Sequence, residues 1–379
     1  MAEIELKTRD FLSAAQAEAL FDFEPVGASL HELETPVPII DFDVMLANLI
    51  RWQMHCDRLG IANWPHIKTH KLVPMAKLQI ALGAAGLCVQ KLGEAEVMAA
   101  AGLHDMLLTF NVVGESKVRR LAAVMRNTNI AVVADNETML AGLADAAKSA
   151  GRKLEVLVEC DTGLGRNGVQ TPAAALALAQ AIASSSHLTF GGLMTYPPAF
   201  KRQQVASFIA SAKELLQKAG VPCPRVSSGG SKDLWDDAGL ADVTEYRAGT
   251  YIYNDRQMVA AKSCTFAQCA EHVLATVVSV PTAGRAIIDA GSKALTSDLG
   301  GVDGYGVVPE LGFAKIYAVN EEHGYLDISA APRRPKVGER VKIVMNHTCP
   351  VNNLFDKVVF GRGDRVLGAI KIDARGKVQ

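Results

Sequence analysis

Asn63-Trp64-Pro65-His66-Ile67-Lys68-Thr69-His70-Lys71 crowds two histidines and two lysines into its last six residues. A turn-prone apolar run precedes it, and a helix-like run from Leu72 to Leu82 follows. That order puts Lys68 near the C-terminal end of a predicted strand. In an α/β barrel this end of the strand is where chemistry is done. A lysine amine held there, partly out of water, can form a Schiff base with an aldehyde. Lysines on loops are usually solvated, so the reading of Lys68 depends on the architecture around it.

Working outward, the chain alternates apolar strand-like runs with helical patterns. Val37 to Phe42 opens the series after Thr35-Pro36, and Asp43 can cap a helix carrying Met45, Leu49, Trp52, Cys56 and Leu59 on one face. Further strand-like runs fall near Ala62, Leu87, Met106, Ile130, Leu154, Leu188 and Val226. Helical patterns separate them, at Gly93–Ala101, Ser116–Met125, Glu137–Ala150, Pro172–Ala183 and Gln203–Ala219. Counting Val37, this predicts eight strands of a parallel sheet covered by helices. Eight repeats fit a closed (β/α)8 barrel of the TIM type better than an open doubly wound sheet, which stays an alternative. After about Val259 the texture changes. Val273–Val280, Arg285–Asp289, Phe313–Ala318, Tyr325–Ile328, Arg340–Met345 and Lys357–Phe360 are β-branched or alternating, with Gly and Pro between them. The expected organisation is a leader with one helix (Ser13–Phe21) to residue 35, a barrel over 36–262, and a mostly β domain over 263–379.

The chain has 379 residues, 49% of them hydrophobic, and a formal net charge of -1. A balanced charge gives no reason to expect nucleic acid or a membrane surface as a partner. Met1 to Phe11 is charged and lacks an apolar core, so no signal peptide is expected. No apolar run reaches the roughly 18 residues needed to span a bilayer. Seven scattered cysteines suggest reduced thiols and a cytoplasmic setting.

Three constellations carry chemistry. Ser227-Ser228-Gly229-Gly230-Ser231 and Arg247-Ala248-Gly249-Thr250-Tyr251 both follow late strands. Glycines let backbone N–H groups approach a phosphate, hydroxyls add donors, and barrels often build phosphate sites from their last two loops. Ser228, Gly229, Gly230, Gly249 and Thr250 are the candidates. Asp161-Thr162-Gly163-Leu164-Gly165-Arg166-Asn167-Gly168-Val169 puts Arg166 after the run Leu154–Cys160. In His347-Thr348-Cys349, residues i and i+2 of an extended chain share a face, so an imidazole and a thiol could grip one ion. A thiolate favours zinc over manganese or magnesium.

The lysine stretch, the two Ser/Gly loops and the His-x-Cys motif together resemble the fold-type III pyridoxal-phosphate enzymes. These are the alanine racemase-like barrels, here in the D-threonine aldolase and D-serine dehydratase branch. The resemblance runs from Thr35-Pro36 to the C-terminal tail. It implies a barrel followed by a β domain, and a cofactor, pyridoxal 5'-phosphate, held covalently by Lys68. It implies that Arg166 meets the cofactor's phenolate oxygen and that Gln90 lies near its ring. Tyr196 would be an active-site residue, and Arg247 would match the arginine facing the pyridine nitrogen in alanine racemases. His347 and Cys349 would hold a divalent metal (Zn, Mn or Mg). The sequence departs from many aldolases in having Cys349 where they carry Asp, and Pro197-Pro198 where they carry His. His70 and His323 are then the imidazoles left as candidates for the base, with His70 the catalytic choice.

The implied function is a lyase cleaving D-3-hydroxy amino acids to glycine and an aldehyde. Asn353-Leu354-Phe355-Asp356 favours the aldolase; a dehydratase acting on D-serine or D-3-hydroxyaspartate is the alternative. A racemase would not need His347 and Cys349, and a non-catalytic pyridoxal-phosphate carrier would not need the β domain. The expected partner is a small D-amino acid, and the resemblance implies a homodimer.

Overall fold

The computed structural model describes residues 9–379, so the first eight residues of the expected leader lie outside it. The leader helix is short, Ala14–Glu18, and is started by a capping box between Ser13 and Gln16.

Eight parallel strands form the barrel: Ala62–Asn63, Leu87–Val89, Asp105–Leu108, Asn129–Ala134, Leu154–Glu159, Leu188–Met194, Arg225–Gly229 and Glu245–Arg247. From the second strand to the eighth each pairs with the next, and the first pairs with the last. The ring closes between the first two strands, where Ala85 N–H donates to Asn63 O (2.9 Å) and Cys88 N–H to Pro65 O (2.8 Å). Alternate strand residues point to opposite faces. Cys88, Leu107, Ala131, Val133, Leu157 and Met194 therefore fill the barrel's centre. Leu87, Val89, Met106, Leu108 and Val132 instead pack outward, in the same core as the helices. Side chains fill the centre, so the space for a ligand lies at the C-terminal ends of the strands.

The expected first strand is not part of this barrel. Val37–Ile40 pairs antiparallel with Glu271–Leu274, and Ile39–Asp41 pairs parallel with Val359–Gly361. The eighth barrel strand is Glu245–Arg247, three residues with a charge at each end, which no apolar pattern would reveal. The barrel still has eight strands, because Val37–Asp41 belongs to the other sheet and Glu245–Arg247 takes its place in the number. The helix after Val37–Asp41 runs Phe42–Leu59, and its cap is Asp41 rather than Asp43: Asp41 accepts from the N–H groups of Asp43 and Val44. Gly60 ends it at φ 66, a left-handed conformation that glycine adopts without strain.

In the second sheet, Glu271–Thr282, Arg285–Ile288, Gly324–Asp327, Ala314–Val319, Gly306–Val308 and Arg340–Met345 close into a six-stranded antiparallel barrel. Val37–Asp41, Lys357–Arg362 and Arg365–Lys371 extend it at one edge. Its interior holds Val273, Ala275, Val277, Ile288, Leu326 and Ile343. No helix of the described residues is long and apolar enough to cross a membrane.

Candidate active site

After the first barrel strand, the chain reaches His66 and turns through one short 3-10 turn, Ile67–Thr69. That turn lifts Lys68 off the strand end. Its half-buried side chain lies between two adjoining cavities. The inner one is lined by His66, Gln90, Thr109, Arg166, Tyr196 and Arg247. The outer one, about 260 Å³, is lined on its far side by His347, Cys349 and Asn353 of the β domain. Lys71, the other lysine of the stretch, is buried and paired with Glu94 at 3.0 Å, so its amine is already committed.

His66, to which the sequence alone assigns no role, lines the inner cavity. Its Nδ1 accepts from the Lys68 N–H (3.4 Å), which leaves Nε2–H to donate to Gln90 Oε1 (3.0 Å). Burial first, then the positive charge of Lys68, holds the imidazole well below its ordinary range and keeps it neutral. Gln90 is fixed in turn, donating to Thr109 O (3.1 Å).

His70, expected as a catalytic imidazole, is placed otherwise. It is fully buried, its Nδ1 accepts from Leu72 N–H (3.0 Å), and its Nε2 donates to Gln79 Oε1 (3.2 Å). Burial pushes its pKa down to about 3, and neither ring nitrogen is left for a substrate. It pins the turn that carries Lys68. His323 lies in the β domain, in the turn that leads into the Gly324–Asp327 strand, and lines neither cavity.

Arg247 is 5% exposed, which rules out a surface role. Its guanidinium donates to Ser227 Oγ (3.1 Å), Ser228 O (3.3 Å) and Thr195 O (2.8 Å). These bonds hold it rigidly against the inner cavity. Arg166 sits opposite, with its guanidinium 4.8 Å from the centre of the Tyr196 ring. Behind it, burial raises the Glu159 carboxyl to about 7, against the pull of Arg166 and Arg247.

The two Ser/Gly loops meet at the end of the last two strands. A Cβ on Gly249 would sit 2.8 Å from Thr69 Oγ1 and 3.2 Å from His66 O. Only glycine lets this loop lie so close to the lysine turn. Gly230 has φ +115, again a glycine conformation. The Ser228 hydroxyl is buried and has no hydrogen-bond partner among the described residues. A buried hydroxyl without a partner costs stability, so it points to a missing ligand. Ser228→Ala is expected to leave the melting temperature of the cofactor-free protein unchanged or raised. It should weaken cofactor retention by about 1–3 kcal/mol, roughly 5- to 150-fold, measured by equilibrium dialysis.

The β-domain side of the site differs from the extended chain expected. His347 is the N-cap residue of a helix, Thr348–Leu354, and Cys349 lies in its first turn. Thr348 N–H donates to Asp255 Oδ2 (3.1 Å), and Asp255 Oδ1 caps the helix Arg256–Ala260, tying the loop to the barrel rim. Cys349 Sγ lies 3.2 Å from Thr69 Oγ1 and 3.8 Å from Thr250 Oγ1, so the thiol sits beside the lysine turn of its own chain. His347 Nδ1 is 2.6 Å from Asp298 Oδ2. Burial would lower the imidazole, but the Cys349 thiolate and the Asp298 carboxylate outweigh it and raise it to about 9. Burial would raise the thiol, but His347, Lys68 and Thr69 pull it below its ordinary value. Among the described residues no group of three or more His, Cys, Asp or Glu side chains has metal-holding geometry. The donors are a pair, with a carboxylate behind the imidazole.

The profile "Alanine racemase, N-terminal domain" matches residues 40–257, and "Putative serine dehydratase domain" matches 270–360. The chain belongs to the alanine racemase-like, fold-type III family. D-threonine aldolase of Arthrobacter sp. is 34% identical over 92% of this chain and 95% of its own. The solved D-threonine aldolase of Filomicrobium marinum superposes with a TM-score of 0.86 at 29% identity, covering 94% of this chain and 99% of that one. The solved D-threo-3-hydroxyaspartate dehydratase of Delftia sp. HT23 gives 0.82 at 29% identity, covering 91% and 99%. A cysteine-to-alanine variant of a dehydratase of that name has been solved in a metal-free form.

Fold-type III enzymes use pyridoxal phosphate, and this chain's residues fit it. An unpartnered buried hydroxyl beside tightly packed glycines suits a phosphate, a firmly bonded arginine in the inner cavity suits a ring nitrogen, and the lysine amine between the two cavities suits an aldehyde. The fold-type III scaffold explains why these residues come from loops over a hundred positions apart: every barrel loop at this end converges on the same opening.

Proposed function

We propose that this chain is a pyridoxal-phosphate and divalent-metal dependent lyase that cleaves D-3-hydroxy amino acids to glycine and an aldehyde. The observation that carries this reading is the shared cavity: Lys68 on one wall, His347 and Cys349 on the other. When bound through Lys68, the cofactor acts as an electron sink for charge at Cα. A metal held by His347 and Cys349 would act as a Lewis acid toward the substrate's 3-hydroxyl. Two protein donors leave coordination positions open, as a catalytic site needs. In the cleavage the 3-hydroxyl loses its proton, a C=O forms at Cβ, the Cα–Cβ bond breaks, and Cα takes up a proton. Lys68 Nζ is the basic atom that faces both cavities and is proposed to move the proton at Cα. Ser228, Gly229, Gly230, Gly249 and Thr250 would hold the phosphate. Arg247 and Arg166 would fix the ring at its two edges, with Gln90 and Tyr196 beside it.

A dehydratase is the second reading, in which Cα loses its proton, the hydroxyl leaves, and a 2-oxo acid and ammonia result. The likeness to the solved dehydratase of Delftia sp. HT23, at a TM-score of 0.82, favours it. Product analysis with D-threonine, D-serine and D-3-hydroxyaspartate, with and without chelator, separates the two. Glycine and aldehyde support the aldolase, 2-oxo acid and ammonia the dehydratase, and a racemised substrate would refute both.

Asp298 was not foreseen, and its place behind His347 gives it a role in this reading. A carboxylate on the far nitrogen fixes the tautomer and aim of a metal-binding imidazole. Asp298→Asn is expected to weaken metal affinity by about 10- to 100-fold, read by metal titration of the holoprotein. Unchanged affinity would show that the bond serves only the loop.

A further inference from the structure

Glu159 ends the barrel strand Leu154–Glu159, and neither the motifs nor the cleavage use it. Leu157, two residues earlier, fills the barrel's centre, so Glu159 projects to the same side, one layer nearer the mouth. It is 1% exposed. Its Oε1 lies 3.7 Å from Arg166 Nη2, and its Oε2 accepts from Asn167 Nδ2 (2.8 Å). Asn167 Oδ1 in turn accepts from Arg166 Nε (3.0 Å). One carboxylate and one amide therefore hold Arg166 from behind. In front, its guanidinium lies over the Tyr196 ring and lines the inner cavity.

The loop that carries Arg166 does not need this acid. Asp161 Oδ1 accepts from the N–H groups of Gly163 (2.9 Å), Leu164 (2.9 Å) and Gly165 (3.1 Å). Gly168 N–H donates to Asp135 Oδ2 (3.1 Å), and Val169 N–H to the backbone oxygen of Glu159 (2.8 Å). A glutamine at 159 would accept the Asn167 bond equally well, and burying a carboxylate costs far more than burying an amide. The charged groups that face the carboxyl are Arg166 from the following loop, Arg247 from the strand Glu245–Arg247, and Asp135 after the strand Asn129–Ala134. Arg247 is already fixed by Ser227, Ser228 and Thr195. Arg166 is different: half of its side chain is exposed, so it is the cation that a buried charge can still draw in. Released from that pull, a long side chain gains rotamer freedom by moving into solvent.

We propose that Glu159 is a positioning residue, whose buried charge draws the Arg166 guanidinium in from solvent and keeps it at the edge of the inner cavity, against the ring oxygen of the cofactor. The inference rests on the reading in which that cavity holds pyridoxal phosphate and Arg166 meets its ring.

The test is a double-mutant cycle of Glu159→Gln and Arg166→Gln. Cofactor retention is compared above pH 7, because burial raises the Glu159 carboxyl to about 7 and it carries its charge there. Glu159→Gln keeps the shape and the Asn167 bond, so the melting temperature of the cofactor-free protein should be unchanged or raised. Its retention of pyridoxal phosphate, by equilibrium dialysis, should fall roughly tenfold, the order of one charge-assisted hydrogen bond. The visible absorbance of the substrate-free holoenzyme is then titrated. Without the guanidinium the ring oxygen's negative charge is less supported, so its proton should come off at a higher pH, by about one pH unit. Removing a negative neighbour while Arg166 stayed in place would instead lower that pH. In the Arg166→Gln background, Glu159→Gln should cause neither the loss of retention nor the upward shift. A titration that stays or moves down overturns the proposal and leaves the cofactor reading standing. So does a Glu159→Gln effect that persists in full without Arg166, or a Glu159→Gln protein that melts far lower, since either makes the acid a structural residue. A protein that takes up no pyridoxal phosphate overturns both.

Discussion

Lys68→Ala is expected to cut cleavage of D-threonine by at least about 10³-fold, the upper range for loss of a positioned proton-transfer group, and to abolish covalent cofactor attachment. The fold should survive. Lys68 is half-buried at the junction of two cavities, and its removal strands no buried carboxylate. Its backbone N–H, which His66 receives, is untouched by the substitution. The competing assignment is Lys71, three residues on. It is disfavoured because its amine is spent on Glu94 in a pair with side chains only 7% and 2% exposed. Freeing that amine to meet an aldehyde would leave a buried carboxylate alone, at a cost of about 3–5 kcal/mol. Borohydride reduction of the holoenzyme followed by peptide mapping should therefore place the pyridoxyl group on Lys68. A label on Lys71, or a Lys68→Ala protein that keeps its turnover, would sink the assignment.

What the sequence disclosed and what it hid follow from the range over which each signal acts. The helix Glu137–Ala150 has its predicted bounds, because its periodicity and its cap are local. The strand Val37–Asp41 has the same apolar look as a barrel strand, since both kinds are covered on two faces. Which strand it pairs with is decided by residues more than two hundred positions later. Glu245–Arg247 was invisible for the opposite reason: its charged ends are buried by partners, Arg225 for Glu245 and the Ser227–Ser228 segment for Arg247, that only the fold assembles. At the site, Lys68, Ser228 and Arg247 could be named from short motifs. Asp298 could not, because nothing near it in sequence distinguishes it, and it meets His347 only when the loop folds back. His70 was overvalued because an imidazole two residues from a reactive lysine looks available until its two ring nitrogens are found bonded inside the core.

Removing the metal proposed at His347 and Cys349 should produce a split result. With chelator, or with Cys349→Ala, the cofactor's visible absorbance should persist while cleavage of D-threonine falls by at least about 10²-fold, as the loss of several kcal/mol of Lewis-acid stabilisation requires. The split arises because the two sets of contacts come from different parts of the chain. Lys68, Ser228 and Arg247 stand on barrel loops, whereas His347 and Cys349 enter from the β domain. Among the described residues, the barrel side chains bonded to Cys349 are the hydroxyls of Thr69 and Thr250, which water can serve in its place. Acidity adds a second signature. Without metal, His347 is raised to about 9 by its thiolate and carboxylate neighbours, so at neutral pH it carries a proton that an incoming ion must displace. Apparent metal affinity should therefore increase as pH rises toward about 9, with proton release on binding. Zinc should compete best, since an imidazole and a thiolate form a borderline-soft pair. Chelated protein that still cleaves D-3-hydroxy amino acids at full rate would make His347 and Cys349 structural residues. The lyase would then have to activate the 3-hydroxyl without an ion.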